Sequence, residues 1–262
     1  MKRFDLVFAT ALVGLAAFVG SEAVETRQAL ASRTGRGETV VTNEAPAVAA
    51  LPPAPEEERD DRVPNAEDVK RRLELSAAST YIGEVLAAHD SSLARWADRE
   101  ANPLRVWIQP TATVTNWKPA FAPLVREAFM DWGETGVPLN FAFVSDSSSA
   151  DVHVTWIDRF NESISGKTLW THDERWLILA ANVVLAVHHR SGDPLDAAAM
   201  KAIALHEVGH LLGLDHTVDS TSIMAPRVRV KSLSAADRAT AQVLYSLPPG
   251  RVGKTKKARR SK

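Results

Sequence analysis

Three histidines and a glutamate stand at a spacing suited to metal chemistry. They lie in the run His206-Glu207-Val208-Gly209-His210-Leu211-Leu212-Gly213-Leu214-Asp215-His216, and Met224 follows within Ser222-Ile223-Met224-Ala225-Pro226. On a helix, residues i and i+4 share a face, so His206 and His210 can offer imidazole nitrogens to one ion. Gly213 suits the left-handed conformation that ends a helix and turns the chain, which brings His216 back toward the same point. Three imidazoles fill three positions of a tetrahedral Zn2+ and leave the fourth for water. Glu207, beside the first ligand, takes the role of general base next to that water. The expected site is therefore His206, His210 and His216 on the metal, with Glu207 as the catalytic residue. Two histidines at helical spacing alone have ordinary packing explanations. The added glycine, third histidine and methionine make a purely structural reading hard to sustain.

The pattern HExxHxxGxxH followed by a methionine turn resembles the metzincin metallopeptidases. Several details resemble the matrixin branch. Thr217 directly follows the third histidine, and Pro226 stands where other branches place a tyrosine ligand. The run Leu233-Ser234-Ala235-Ala236-Asp237, ending in Gln242-Val243-Leu244-Tyr245, resembles the last matrixin helix. Ala150-Asp151-Val152-His153-Val154 resembles an inner strand. The likeness covers roughly Asn102 to Leu247 and is strongest over Leu205–Pro226.

The resemblance implies an α/β (α+β) fold of the metzincin-type zincin: a twisted, mixed, mostly parallel sheet with packed helices. It implies a Zn2+-dependent endopeptidase, with a protein or peptide substrate laid along an exposed edge strand, and Met224 as an apolar floor beneath the metal. It also raises structural Ca2+, for which Asp151 in the matching strand is a candidate. A second metal site would draw on His153, His172-Asp173 and His188-His189, although the family's spacing is not reproduced there. Two departures matter. Val228 stands where matrixins commonly carry a tyrosine that walls the specificity pocket, so no pocket shape carries over. The 262 residues contain no cysteine, so the thiol that commonly blocks matrixin zymogens is missing. Asp237 reads as an ordinary surface acid. The motif specifies the metal machinery better than the polymer it acts on. A zinc amidase acting on cell-wall peptides, and a non-catalytic zinc-containing surface binding module, are the competing functions.

The elements that must position these residues are legible as alternating strands and helices. Pro103–Ile108, Phe141–Val144 and Ala150–Ile157 have strand patterning; Gly166–Thr171 reads as an exposed strand and Asn182–Val187 as a buried one. Phe121–Trp132 is an amphipathic helix ended by Gly133. Asp193 as cap and Pro194 in the first turn would start the helix that carries the histidines. Ala66–Arg99 is helical in pattern, with broken apolar stripes. This segment, 66–101, reads either as a propeptide or as a prop packed on a catalytic domain at 102–248. If it is inhibitory, Asp90 or Asp98 is the candidate to occupy the metal's open position.

The ends of the chain carry other information. Residues 1–23 pair a basic start with a mostly apolar run and Ser21-Glu22-Ala23, as in a cleaved export signal or an uncleaved anchor. Export to the cell surface, the periplasm or the medium follows as an expectation. Residues 24–65, with repeated prolines and a charge run, read as a disordered linker. Residues 249–262 form a basic tail, a candidate for membrane association along with the first segment. The net charge of −1 gives no bias toward nucleic acid, so no nucleic-acid partner is expected. The expected state is a monomer.

Overall fold

The computed structural model describes residues 66–252. The expected signal segment, the linker and the tail beyond Val252 lie outside these residues. Helices α1 (Ala66–Ser76) and α2 (Ile82–Ala88) come first, then strands β1 (Ser92–Leu93) and β2 (Arg99–Ile108). Helix α3 (Phe121–Gly133) precedes β3 (Leu139–Val144), β4 (Val152–Ile157), β5 (Gly166–His172) and β6 (Ile178–Ala186). Helices α4 (Ala197–Leu211) and α5 (Ala235–Ser246) and strand β7 (Gly250–Arg251) complete the order.

Five strands form one sheet in the order β3-β2-β4-β6-β5. The first four run parallel, and β5 closes one edge antiparallel to β6. This is the mixed, mostly parallel sheet expected of the fold class. Alternation fixes its buried face: Leu104, Val106 and Ile108 on β2 and Val152, Val154 and Trp156 on β4 are buried. Helix α3 buries Phe121, Val125, Phe129 and Trp132, and packs against α4 and β3. Helix α4 packs against β5 and β6, which places the histidine run beside the sheet's free edge. The Trp132 indole locks the two helices together by donating to Leu205 O at 2.9 Å.

Three boundaries differ from the sequence reading. Helix α4 is capped by Asp196, whose side chain accepts from Ala199 N at 2.7 Å, and not by Asp193. Residues 194–195 are instead held extended, because Pro194 bridges His188 and Leu195 N donates to Val187 O. Strand β2 begins at Arg99, before Pro103, with an irregular register between Arg99 and Leu104 that accommodates the proline. The stretch 66–99 is two short helices and a strand in place of one helical stretch, because Asp90 and Ser91 take left-handed conformations (φ 50° and 59°) that end α2.

That first segment is woven into the core. Tyr81, Ile82, Val85, Leu93, Ala94 and Trp96 are buried. Helices α1 and α2 pack on α5, and β1 pairs antiparallel with β7, which lies within the stretch read as tail. The Trp96 indole donates to Leu211 O at 2.9 Å, and Arg95 Nε to Leu247 O at 3.0 Å.

Candidate metal centre and its cleft

The last turns of α4 carry His206, Glu207 and His210. The helix then ends in a Schellman turn: Leu214 N donates to Gly209 O and Gly213 N to His210 O. Gly213 holds φ 97°, and a side chain there would collide with the Ala94 carbonyl. The turn swings His216 back, and three Nε2 atoms converge. The separations are 3.1 Å for His206–His210, 3.3 Å for His210–His216 and 3.3 Å for His206–His216.

The tautomers are set by carbonyls, which can only accept. His206 Nδ1 donates to Ile223 O at 2.8 Å and His210 Nδ1 to Leu214 O at 3.0 Å. Their Nε2 lone pairs then face each other with no proton between them, an arrangement that calls for a shared cation. Separations of 3.1–3.3 Å match nitrogens on one tetrahedral ion with bonds of roughly 2.0–2.1 Å. Burial lowers the pKa of His206, and it carries His210 down to about 3 with help from the neighbouring His206. Both imidazoles are therefore held in the neutral, ligating form at pH 7. The residues present fit Zn2+.

Glu207 is buried beside the triad. Burial raises its carboxyl to about 7, against the opposing hydrogen bond from Thr168. Thr168 Oγ1 lies 2.7 Å from Glu207 Oε2 and 2.9 Å from Glu207 O, so its one proton serves either oxygen. The carboxylate fits flat against β5 because position 166 is glycine: a Cβ there would sit 2.7 Å from Glu207 Cδ. Gly166→Ala is expected to retain the fold and the metal but to lower kcat/KM on the order of 10²-fold, through displacement of the carboxylate. Parallel assays of turnover and bound metal check this, and unchanged turnover would refute it.

Met224 is buried under the helix, and a side chain on Gly209 would run into its sulfur. The methionine turn is tied to the residue that follows His216: Thr217 N donates to Met224 O at 3.1 Å. Asp237 anchors the turn from below and is fully buried, which corrects its reading as a surface acid. Its carboxylate accepts from Ser222 Oγ, from Ile223 N at 3.1 Å, from Ser234 N at 2.7 Å and from the Tyr81 hydroxyl at 3.1 Å. Four donors explain how an unpaired acid is tolerated in the core.

Two residues of the amino-terminal segment reach the site and had no signal in the sequence. Glu84 accepts from Thr217 Oγ1 at 3.0 Å and from Val218 N at 2.9 Å, clamping the chain just after His216. His89 Nε2 lies 3.2 Å from Asp215 Oδ2, and that contact is the first cause holding the Asp215 carboxyl down to about 2. Thr168 and Gly166 were also missed, since strand position alone does not reveal which residue meets a distant glutamate.

The triad opens into a cleft of about 670 Å³ between β5, helix α4 and the Pro226–Val228 stretch, with His89 on its border. Asp90 and Asp98 do not line it: Asp90 pairs with Arg251, and Asp98 Oδ1 accepts from Glu100 N at 2.9 Å. The candidate second-site histidines are dispersed. His153 Nε2 lies 2.9 Å from Ser147 O, and His172 stacks on Trp176 with centroids 4.4 Å apart. His188 accepts from Asn116 at 2.9 Å, and its Nδ1 lies 2.8 Å from Asp158 Oδ1, too poorly angled for a hydrogen bond. Among the described residues, the one group of metal-ligating atoms is His206, His210 and His216, all within 4.8 Å. Both oxygens of Asp151 are engaged by Arg105, at 2.7 and 3.1 Å.

Residues 158–246 match the family model for matrixins. The sheet, the histidine triad and the matched residues together make this chain similar to the matrixins. The chain is similar to Metalloendoproteinase 1-MMP of Arabidopsis thaliana, at 27% identity in an alignment of 137 residues that covers 47% of this chain and 37% of that protein. The chain thus spans little more than a third of the length of the curated relative it matches.

Proposed function

We propose that the protein is a zinc-dependent endopeptidase with Glu207 as its general base. The observation that carries this reading is the convergence of three Nε2 atoms beside a buried carboxylate in a cleft bordered by a free strand edge. His206, His210 and His216 would hold the metal. When bound, zinc supplies a Lewis acid for the scissile carbonyl and makes water acidic enough to attack near neutral pH. Glu207, kept in place by Thr168 and by the bare backbone at Gly166, takes a proton from the attacking water and hands it to the departing amine. Its raised pKa suits both halves of that transfer. Among the described residues no strand pairs with the outer edge of β5, and an extended peptide can add to the sheet there. A polypeptide substrate matches this edge better than a short cross-linked peptide. Export is part of the proposal, and it rests on residues 1–23 of the sequence.

The purified chain is expected to cleave a denatured protein, to lose that activity to a chelator and to regain it with Zn2+. A folded, zinc-loaded chain that leaves denatured proteins intact would overturn the proposal.

A further inference from the structure

We infer that the cleft selects substrates with acidic side chains beside the scissile bond, recognised by Arg227 and Lys167. The inference rests on the peptidase reading and names its substrate class.

The charged groups that border the cleft are unequal in their freedom. Of its two acids, Glu207 is buried and committed to Thr168, and Asp215 is matched by His89 at 3.2 Å. Of its cations, Arg227 stands exposed on the wall that follows the methionine turn, between Pro226 and Val228. Lys167 stands exposed on the strand wall. Neither forms an ion pair with another described residue. Two uncommitted positive charges on two different walls, with no free carboxylate between them, leave a cleft complementary to negative charge. A bound divalent metal adds to that sign.

The strand register indicates how each would be used. Gly166 and Thr168 turn toward Glu207, so Lys167 belongs to the other face of β5. A peptide added to the free edge of β5 places every second side chain on that same face, in cross-strand contact with Lys167. Arg227 would meet side chains of the same peptide from the opposite border of the cleft. Beyond it, Arg229 and Lys231 continue at alternate positions and are also exposed, extending the positive field along the stretch. Flanked by Pro226 and Val228, Arg227 is the one polar side chain of this wall.

The test uses the full, zinc-loaded chain and two peptides built on one mapped cleavage site. They differ only in carrying Glu or Lys at the positions flanking the scissile bond. The Glu peptide is expected to have the higher kcat/KM by roughly 3–10-fold, since partly exposed charge pairs contribute modestly. Added salt should shrink the ratio, and R227E with K167E should reverse it. Equal rates, or faster cleavage of the Lys peptide, would overturn this inference and leave the peptidase reading intact. Cleavage of neither peptide, with the mapped parent site still cut, would also overturn this inference, whereas a folded, zinc-loaded chain that yields no cleavage site to map would overturn the peptidase reading.

Discussion

Glu207→Ala is expected to leave the protein folded and fully metal-loaded while peptide-bond cleavage falls by ~10²–10⁴-fold, the usual contribution of a general acid–base group. Glu207 makes no contact that the fold depends on. Its carboxylate is bonded to Thr168 alone, and its removal uncovers the glycine backbone of β5 without stranding another buried charge. The helical pair of the triad is unaffected, because His206 and His210 are oriented by the Ile223 and Leu214 carbonyls. Comparing kcat/KM with metal content per chain separates the two effects. Wild-type turnover in the variant would remove Glu207 from the chemistry. Loss of metal along with activity would assign it a structural role in place of a proton-transfer one.

A chain that begins at Asn102 is expected not to fold. Its deletion removes Tyr81, Ile82, Val85, Leu93 and Trp96 from the core. Burying such side chains contributes about 1.5–3 kcal/mol each, so their combined loss rivals the ~5–15 kcal/mol that stabilises a typical domain. Polar partners go as well. Asp237 loses the Tyr81 hydroxyl, Thr217 loses Glu84, and the Leu211 carbonyl loses the Trp96 indole. Gly213 would no longer have the Ala94 backbone packed against it. Circular dichroism and a thermal melt check this. A cooperative transition and undiminished peptidase activity in the shortened chain would instead show that residues 66–101 are dispensable, as a removable propeptide would be.

The parts of the site that the sequence reveals are those whose spacing is itself a mechanical device. The i, i+4 pair His206/His210 and the turn at Gly213 are local, so the run announces both the helix and its end. The strands were legible because Asn182–Val187 reads as an apolar run and Val152, Val154 and Trp156 share one face, while the mostly parallel order follows from the resemblance. What stayed hidden depends on contacts across the chain. Glu84 lies 133 residues from Thr217, and Tyr81 lies 156 from Asp237, and nothing in either local pattern points to the other. Asp237 looked like a surface acid because a buried carboxylate satisfied by hydroxyls and amides has the same sequence context as a solvated one. Asp193 was mistaken for the cap of α4 because Asp-Pro is a proper helix start. The bridge from Pro194 to His188 delays the helix to Asp196.

Elemental analysis of the purified 262-residue chain decides whether His206, His210 and His216 form one metal centre. The expected result is one zinc per chain, retained through gel filtration, and lost on replacing any of the three histidines by Ala while the fold persists. A well-folded protein that contains no zinc and takes up none when it is supplied would contradict it.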